Sequence, residues 1–170
     1  RYGGLRLRVE LPRTLAGHAE PLVVTGPSAG QADYVWIYYG DNTRRALVGY
    51  EHTGGGGPKT PTQTVDFARP HVVEIEMPSL YPAPGDAFFA ERTLAEIAAI
   101  KGRLSLKFDG KSWLDAPVAS WASSAEQITP GLSRVSKVYG ERFSGKILVD
   151  RAAAAVKNAA PGANETTQHF

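Results

Sequence analysis

A chain of 170 residues with 42% apolar and 21% charged side chains has the size and composition of one globular domain, and it is neither disordered, coiled-coil nor collagen-like. Nineteen lysines and arginines stand against 17 acids, a net charge of +2 that is too even to point to nucleic acid. Cysteine is absent, which removes a disulfide framework, a cysteine zinc site and a thiol nucleophile, while 18 glycines and 12 prolines point to many turns.

Period-two alternation dominates the chain, the mark of strands with one buried face. Leu5, Leu7, Val9 and Leu11 alternate with Arg6, Arg8 and Glu10, giving a first strand with one wet side. A short strand over 22–25 is closed by Gly26-Pro27. Strands over 34–39 and 46–52 flank Gly40-Asp41-Asn42-Thr43, a turn-forming cluster, and read as a β-hairpin. Gly54–Gly57 followed by Pro58 reads as a flexible loop. A short edge strand is expected over 64–67 and a further strand over 71–77, in which Val73, Ile75 and Met77 share one face and Val72, Glu74 and Glu76 the other. Proline and glycine at 78, 82, 84 and 85 then break the chain. Asp86 is read as the N-cap of a helix over 87–101, with Leu94, Ile97, Ala98 and Lys101 along one stripe and Gly102 ending it. Leu104, Leu106 and Phe108 resume the alternation, and Asp109-Gly110 turns into another strand over 112–114. The last strands fall at 126–131 and 143–150. In the latter, Phe143 and Ile147 share a core face, with Gly145 placed where a backbone or ring comes close.

Nine or ten short strands with one helix predict an all-β fold, a two-sheet antiparallel jelly-roll sandwich with an inserted helix, since a parallel sheet needs helices between most strands. The domain is expected to span residues 2–151. Residues 152–170, alanine-rich and then polar, read as a mobile tail or linker. No run approaches the roughly 18 apolar residues of a membrane span. The chain opens at Arg1, which reads as a processed chain or a domain of something larger.

The closing strands, with Leu104–Phe108, Asp109-Gly110, Trp113-Leu114, Ile128–Gly131 and Arg142–Ile147, resemble those of laminin-G-like domains in the concanavalin A-like lectin and glucanase superfamily, and Pro70–Glu76 resembles the strand that precedes the Asp-Gly hairpin there. The resemblance covers about half the chain and implies a jelly roll whose members bind glycans, cleave them, bind proteins or space other domains. The helix over 87–101 departs from that pattern as an insertion.

Two sets of residues carry candidate chemistry. Glu74 and Glu76 project on one face, as paired glycosidase carboxylates do, but the alternate acids of laminarinase-like enzymes would put a third at Val72 or Pro78. Solvated glutamates facing Lys107 are the other reading. The binding candidates are aromatic. Tyr34, Trp36 and Tyr38 share a face of one strand and Tyr50 and His52 a face of the next, with Arg44, Arg45 or Glu51 as polar partners and Trp121 at a rim. Aromatic rings suit sugar C–H faces, and the same residues also suit a sandwich core. Calcium, used by many superfamily lectins, needs six to eight oxygens, and Asp33, Asp41 and Asn42 do not form an Asp-x-Asn-x-Asp loop. The histidines have no metal-type spacing, so no cofactor is expected, with calcium the one alternative left open. The resemblance, taken with these aromatics, therefore implies a non-catalytic glycan-recognition or accessory domain of an extracytoplasmic protein. Its expected partners are an oligosaccharide and neighbouring protein domains, with no nucleic acid and no membrane insertion. A glycoside hydrolase using Glu74 and Glu76, or a purely structural module, are the alternatives.

Overall fold

A computed structural model of the chain describes residues 1–13, 16–40 and 44–150, so the expected tail at 152–170 and the turn residues Asp41, Asn42 and Thr43 lie outside it. Ten strands form two antiparallel five-stranded sheets among the described residues. Sheet A is ordered β10(Lys146–Val149), β1(Leu5–Glu10), β6(His71–Glu76), β7(Arg103–Phe108), β8(Lys111–Pro117). Sheet B is ordered β5(Gln63–Thr64), β4(Arg45–His52), β3(Gln31–Tyr39), β2(Ala19–Ser28), β9(Thr129–Pro130). The chain passes from sheet to sheet after β1, β5, β8 and β9, the connectivity of a two-sheet jelly-roll sandwich. The expected fold class is the observed one.

Alternation explains the core. Leu7 and Val9 of β1, Val73 and Ile75 of β6, and Leu104 and Leu106 of β7 are fully buried against Val35, Ile37 and Tyr39 of β3 and Val48 and Tyr50 of β4. Fully burying such a side chain contributes about 1.5–3 kcal/mol. Glu20 is buried among them because its carboxylate accepts the Tyr39 hydroxyl at 2.8 Å, and burial, then the Glu20 charge, drives the phenol far above its ordinary range. Gly145 behaves as its context suggests. A Cβ there would overlap the Glu10 carbonyl and press on the Phe143 ring, and Phe143 is buried in the core with Ile147 packed beside it.

Several boundaries differ from the sequence reading, each for a local reason. Strand β2 runs through Gly26 to Ser28, because that glycine takes φ +111° at a register shift and the pairing with β3 resumes at Ser28↔Gln31. Strand β5 shrinks to two residues, since Val65 and Phe67 turn into the core. The expected strand at 126–131 opens as a 3-10 turn at Ala125–Gln127 before the short β9.

The inserted helix is shorter than expected. Asp86 caps only a 3-10 turn at Ala87–Phe89, and α1(Leu94–Gly102) starts from Thr93, whose side chain accepts the Glu96 amide while Glu96 reaches back to the Thr93 amide. The apolar stripe is not there. Leu94 is 86% exposed, and Ile97 alone is buried, while Lys101 reaches the carbonyls of Pro78 and Tyr81 at 2.8 and 2.9 Å. So short and exposed a helix depends on its cap. Thr93→Ala is expected to cost about 1 kcal/mol, read as faster amide exchange across 94–102 with sheet protection unchanged.

Candidate functional site

The first pair of β3 and β4 at one end of the sandwich is Asp33↔His52, and both side chains point inward where the core gives way to loops. Asp33 is fully buried. Its Oδ1 lies 2.8 Å from His52 Nδ1 and its Oδ2 accepts the Trp121 amide at 2.9 Å. Burial raises the Asp33 carboxyl above its ordinary value, against the lowering bonds from His52, the Trp121 amide and Ser79. Ser79 in turn accepts the Thr25 hydroxyl at 2.7 Å.

Trp121 is held at this rim from three directions. Its amide is bound to Asp33, its indole Nε1 donates to the Thr53 carbonyl at 3.2 Å, and its ring stacks on His52 at 5.1 Å and 26°. Tyr50 supports the segment from beneath, donating its hydroxyl to the Ala119 carbonyl at 2.6 Å. Burial first, and the nearby Asp33 charge second, push the Tyr50 phenol well above its ordinary range. The Tyr2 hydroxyl donates to the Ser123 carbonyl at 3.2 Å, and the Gly26 amide to Ser123 Oγ at 3.2 Å. The glycine run is not a free overhang. Gly55 and Gly56 donate to the His52 carbonyl and Tyr50 to the Pro58 carbonyl, and a Cβ on Gly55 would sit 2.8 Å from His52 Cδ2. Glycine is needed there so that the loop can close against the imidazole.

The expected row of aromatics is divided by this register. Val35 pairs with Tyr50 and Trp36 with Gly49, so Tyr50 and His52 face the core with Val35 and Asp33, whereas Trp36 and Tyr38 lie on the outer face of sheet B. Tyr50 is core, 1% exposed, and offers no surface to a ligand. Trp36 is covered: Tyr139 stacks on it at 4.8 Å and 6°, and the indole fills the space that Gly49 leaves. Its Nε1 is buried with no acceptor, a cost of about 1–3 kcal/mol. Tyr38 is half-buried beside it. Arg44 is exposed at the opposite end of the hairpin from His52, lining a hollow of about 470 Å³ with Arg13, Thr64 and Asp66. Of the expected binding residues, Trp36 and Tyr38 share the outer face, His52 and Trp121 meet at the rim, and Tyr50 and Arg44 join neither pair. Asp33 and Thr53 complete the rim site, and Tyr139 was not singled out at all, since a lone tyrosine in a polar segment carries no sequence signal.

Glu74 and Glu76 do share the outer face of the central strand of sheet A. Glu74 pairs with Arg6 at 3.2 Å and lies across from Lys107, while Glu76 accepts the Tyr81 hydroxyl over Gly4, whose missing Cβ leaves room for the carboxylate. Burial, then Glu76, raises the Tyr81 phenol. Trp113 is half-buried on Phe108, with ring centroids 4.2 Å apart. No group of three or more His, Cys, Asp or Glu side chains among the described residues is placed to hold a metal ion. No helix among the described residues is long and apolar enough to cross a membrane.

The fold and rim define a jelly-roll β-sandwich with an anchored aromatic pair at one end. No family model matches the sequence, and no curated protein matches it. Among solved structures, the chain is similar to the CBM40 of Ruminococcus gnavus IT-sialidase bound to α2,3-sialyllactose, with TM-score 0.45 and 10% identity over 87% of this chain and 76% of that one.

Proposed function

We propose that this chain is a non-catalytic glycan-recognition or accessory domain of a larger extracytoplasmic protein, of concanavalin A-like descent, and that its ligand rests on Trp121 and His52. The observation that carries the reading is the triple anchoring of Trp121. A part-exposed indole fixed by its amide, its Nε1 and a stacked imidazole is preorganised, so a sugar's C–H face binds it without first ordering it.

The test is a glycan array with the purified domain, once with calcium and once with chelator. Saturable binding to a related set of glycans is expected, reduced at least tenfold in Trp121→Ala with the circular dichroism spectrum unchanged, a loss of about 1.4 kcal/mol or more. A silent array overturns the reading. Release of reducing sugar from a β-glucan, abolished by Glu74→Gln, would replace it with the hydrolase.

A further inference from the structure

The outer face of sheet B carries a second aromatic row, and a strap lies across it. Tyr34, Trp36 and Tyr38 project outward from β3, with Gly49 and Glu51 beside them on β4. The segment 133–142 folds back over this row. Its ends are tied by the Ser133 amide to the Glu141 carbonyl at 2.9 Å, and Tyr34 and Ser136 share a hydroxyl hydrogen bond of 2.8 Å. The strap's Tyr139 stacks in parallel on Trp36 and leans on Tyr34 at 5.6 Å and 60°. Its hydroxyl reaches Glu51 only at 3.3 Å, and burial, then Glu51, raises that phenol to about 12. The strap's outer side is solvated: Val138 is 65% exposed, and Lys137 pairs with Glu141 at the surface.

Trp36, Val135 and Tyr139 pack on the buried Val24, Ala32 and Tyr34, and three features of that cluster bear on a ligand. The Tyr139 ring lies flat on the indole at 4.8 Å, as a pyranose C–H face does on tryptophan. Gly49 has no Cβ, so the indole lies directly over the neighbouring strand, where any Cβ would overlap it. Among the described residues, Trp36 Nε1 is the one buried side-chain nitrogen or oxygen with no partner. A phenylalanine would stack under Tyr139 equally well and leave no orphaned donor. An indole N–H beneath a removable ring has a use if a ligand hydroxyl takes that ring's place.

We propose that the outer face of sheet B is a second, occluded pyranose site, in which Tyr139 holds the sugar's position and the strap 133–142 swings away when a sugar binds. The uncovered surface is Tyr34, Trp36 and Tyr38, with the Trp36 N–H donating to a sugar hydroxyl and the Glu51 carboxylate, released from Tyr139, accepting from another. This rests on the glycan reading above but not on the Trp121 rim. The closed strap lowers apparent affinity by the fraction of molecules that are open, so loosening it tightens binding.

Protein labelled with ¹⁵N-tryptophan gives three indole signals, assigned by the single variants Trp36→Phe, Trp113→Phe and Trp121→Phe, and is titrated with cellobiose, laminaribiose and lactose. The expected result is a saturable shift of the Trp36 signal for at least one sugar, with an affinity raised about threefold to tenfold in Tyr139→Ala. Tyr34→Phe, which removes the Ser136 tether and keeps the ring, should act in the same direction and serves if Tyr139→Ala does not fold. A shift confined to Trp121 overturns this site and upholds the rim. A shift confined to Trp36 upholds this site and overturns the rim. A Trp36 shift whose affinity is unchanged or weaker in the loosened strap overturns the strap's role. No Trp36 shift in any variant overturns the site altogether.

Discussion

Asp33→Ala should cost the domain about 3–5 kcal/mol and abolish ligand binding at the rim, the largest loss expected from any one polar side chain here. The carboxylate is fully buried, and its two oxygens face the Trp121 amide and His52 Nδ1. Alanine leaves both without this partner, and Trp121 loses the first of its three anchors. Asp33→Asn separates charge from geometry. Its amide oxygen still accepts the Trp121 amide and its NH₂ donates to His52 Nδ1, so its cost should be about 1 kcal/mol. The pH dependence carries the sign. Burial raises the folded carboxyl above the ordinary value of 3.8, so the native state holds this proton more tightly than the unfolded chain. Its contribution is whole below that value and is lost as pH rises through the raised one. Urea unfolding between about pH 3 and about pH 7 should therefore show the wild type's advantage over Asp33→Asn shrinking as pH rises. An advantage that grows with pH would mean the bonds from His52 and Trp121 outweigh burial.

The sheets were legible in the sequence because alternation reports burial directly: Leu7, Val9, Val73, Ile75, Leu104 and Leu106 all lie where period two puts them. The Asp109-Gly110 hairpin was equally plain, since both residues take positive φ, 49° and 78°, as their types allow. The site was legible only in part, because facing depends on register. Within β3 and within β4 the alternation is clear, but which face of one joins which face of the other follows from pairing Tyr39 with Ala46, which alternation alone does not specify. One residue's slip would have joined Trp36 to Tyr50. As it stands, Tyr50 went to the core and Trp36 to the outer face. His52 and Trp121 were legible as candidates, but their joining with Asp33 and Thr53 was not, for a different reason. Asp33, Thr53 and Trp121 are far apart in the chain, and the residues around Trp121 have no period to read. The helix is expected too early because Asp86 carries an N-cap signal, whereas Asp86 caps only a 3-10 turn and Thr93 with its capping box sets the true start, on the surface.

Asp109→Asn should cost about 1.5–3 kcal/mol with the opposite pH signature. Asparagine tolerates the positive φ of this turn, so the hairpin's backbone is not at issue. What changes is the latch. The Asp109 carboxylate accepts the Val72 amide at 2.9 Å on one oxygen, and on the other His71 Nδ1 and Arg69 Nη2, each at 2.8 Å. An amide offers one oxygen where two are used, so its NH₂ must face at least one of these donors. The nearly fully buried His71, whose Nε2 lies 2.6 Å from the Asp66 carbonyl, has no room to turn away. Partial burial raises the Asp109 carboxyl, but the bonds from the Val72 amide, His71 and Arg69 outweigh it and hold it below its ordinary value. A lowered folded value means a contribution present above 3.8 and lost as pH falls through the lowered one. In the same urea series, the wild type's advantage over Asp109→Asn should grow as pH rises through the carboxylate range, where its advantage over Asp33→Asn shrinks. Asp109 closes the β7–β8 turn, at the opposite end of the sandwich from Asp33, and the two share no partner, so the double variant should be additive within about 0.5 kcal/mol at each pH. A larger departure from additivity would show that rim and turn are coupled through the β1–β6–β7 core between them.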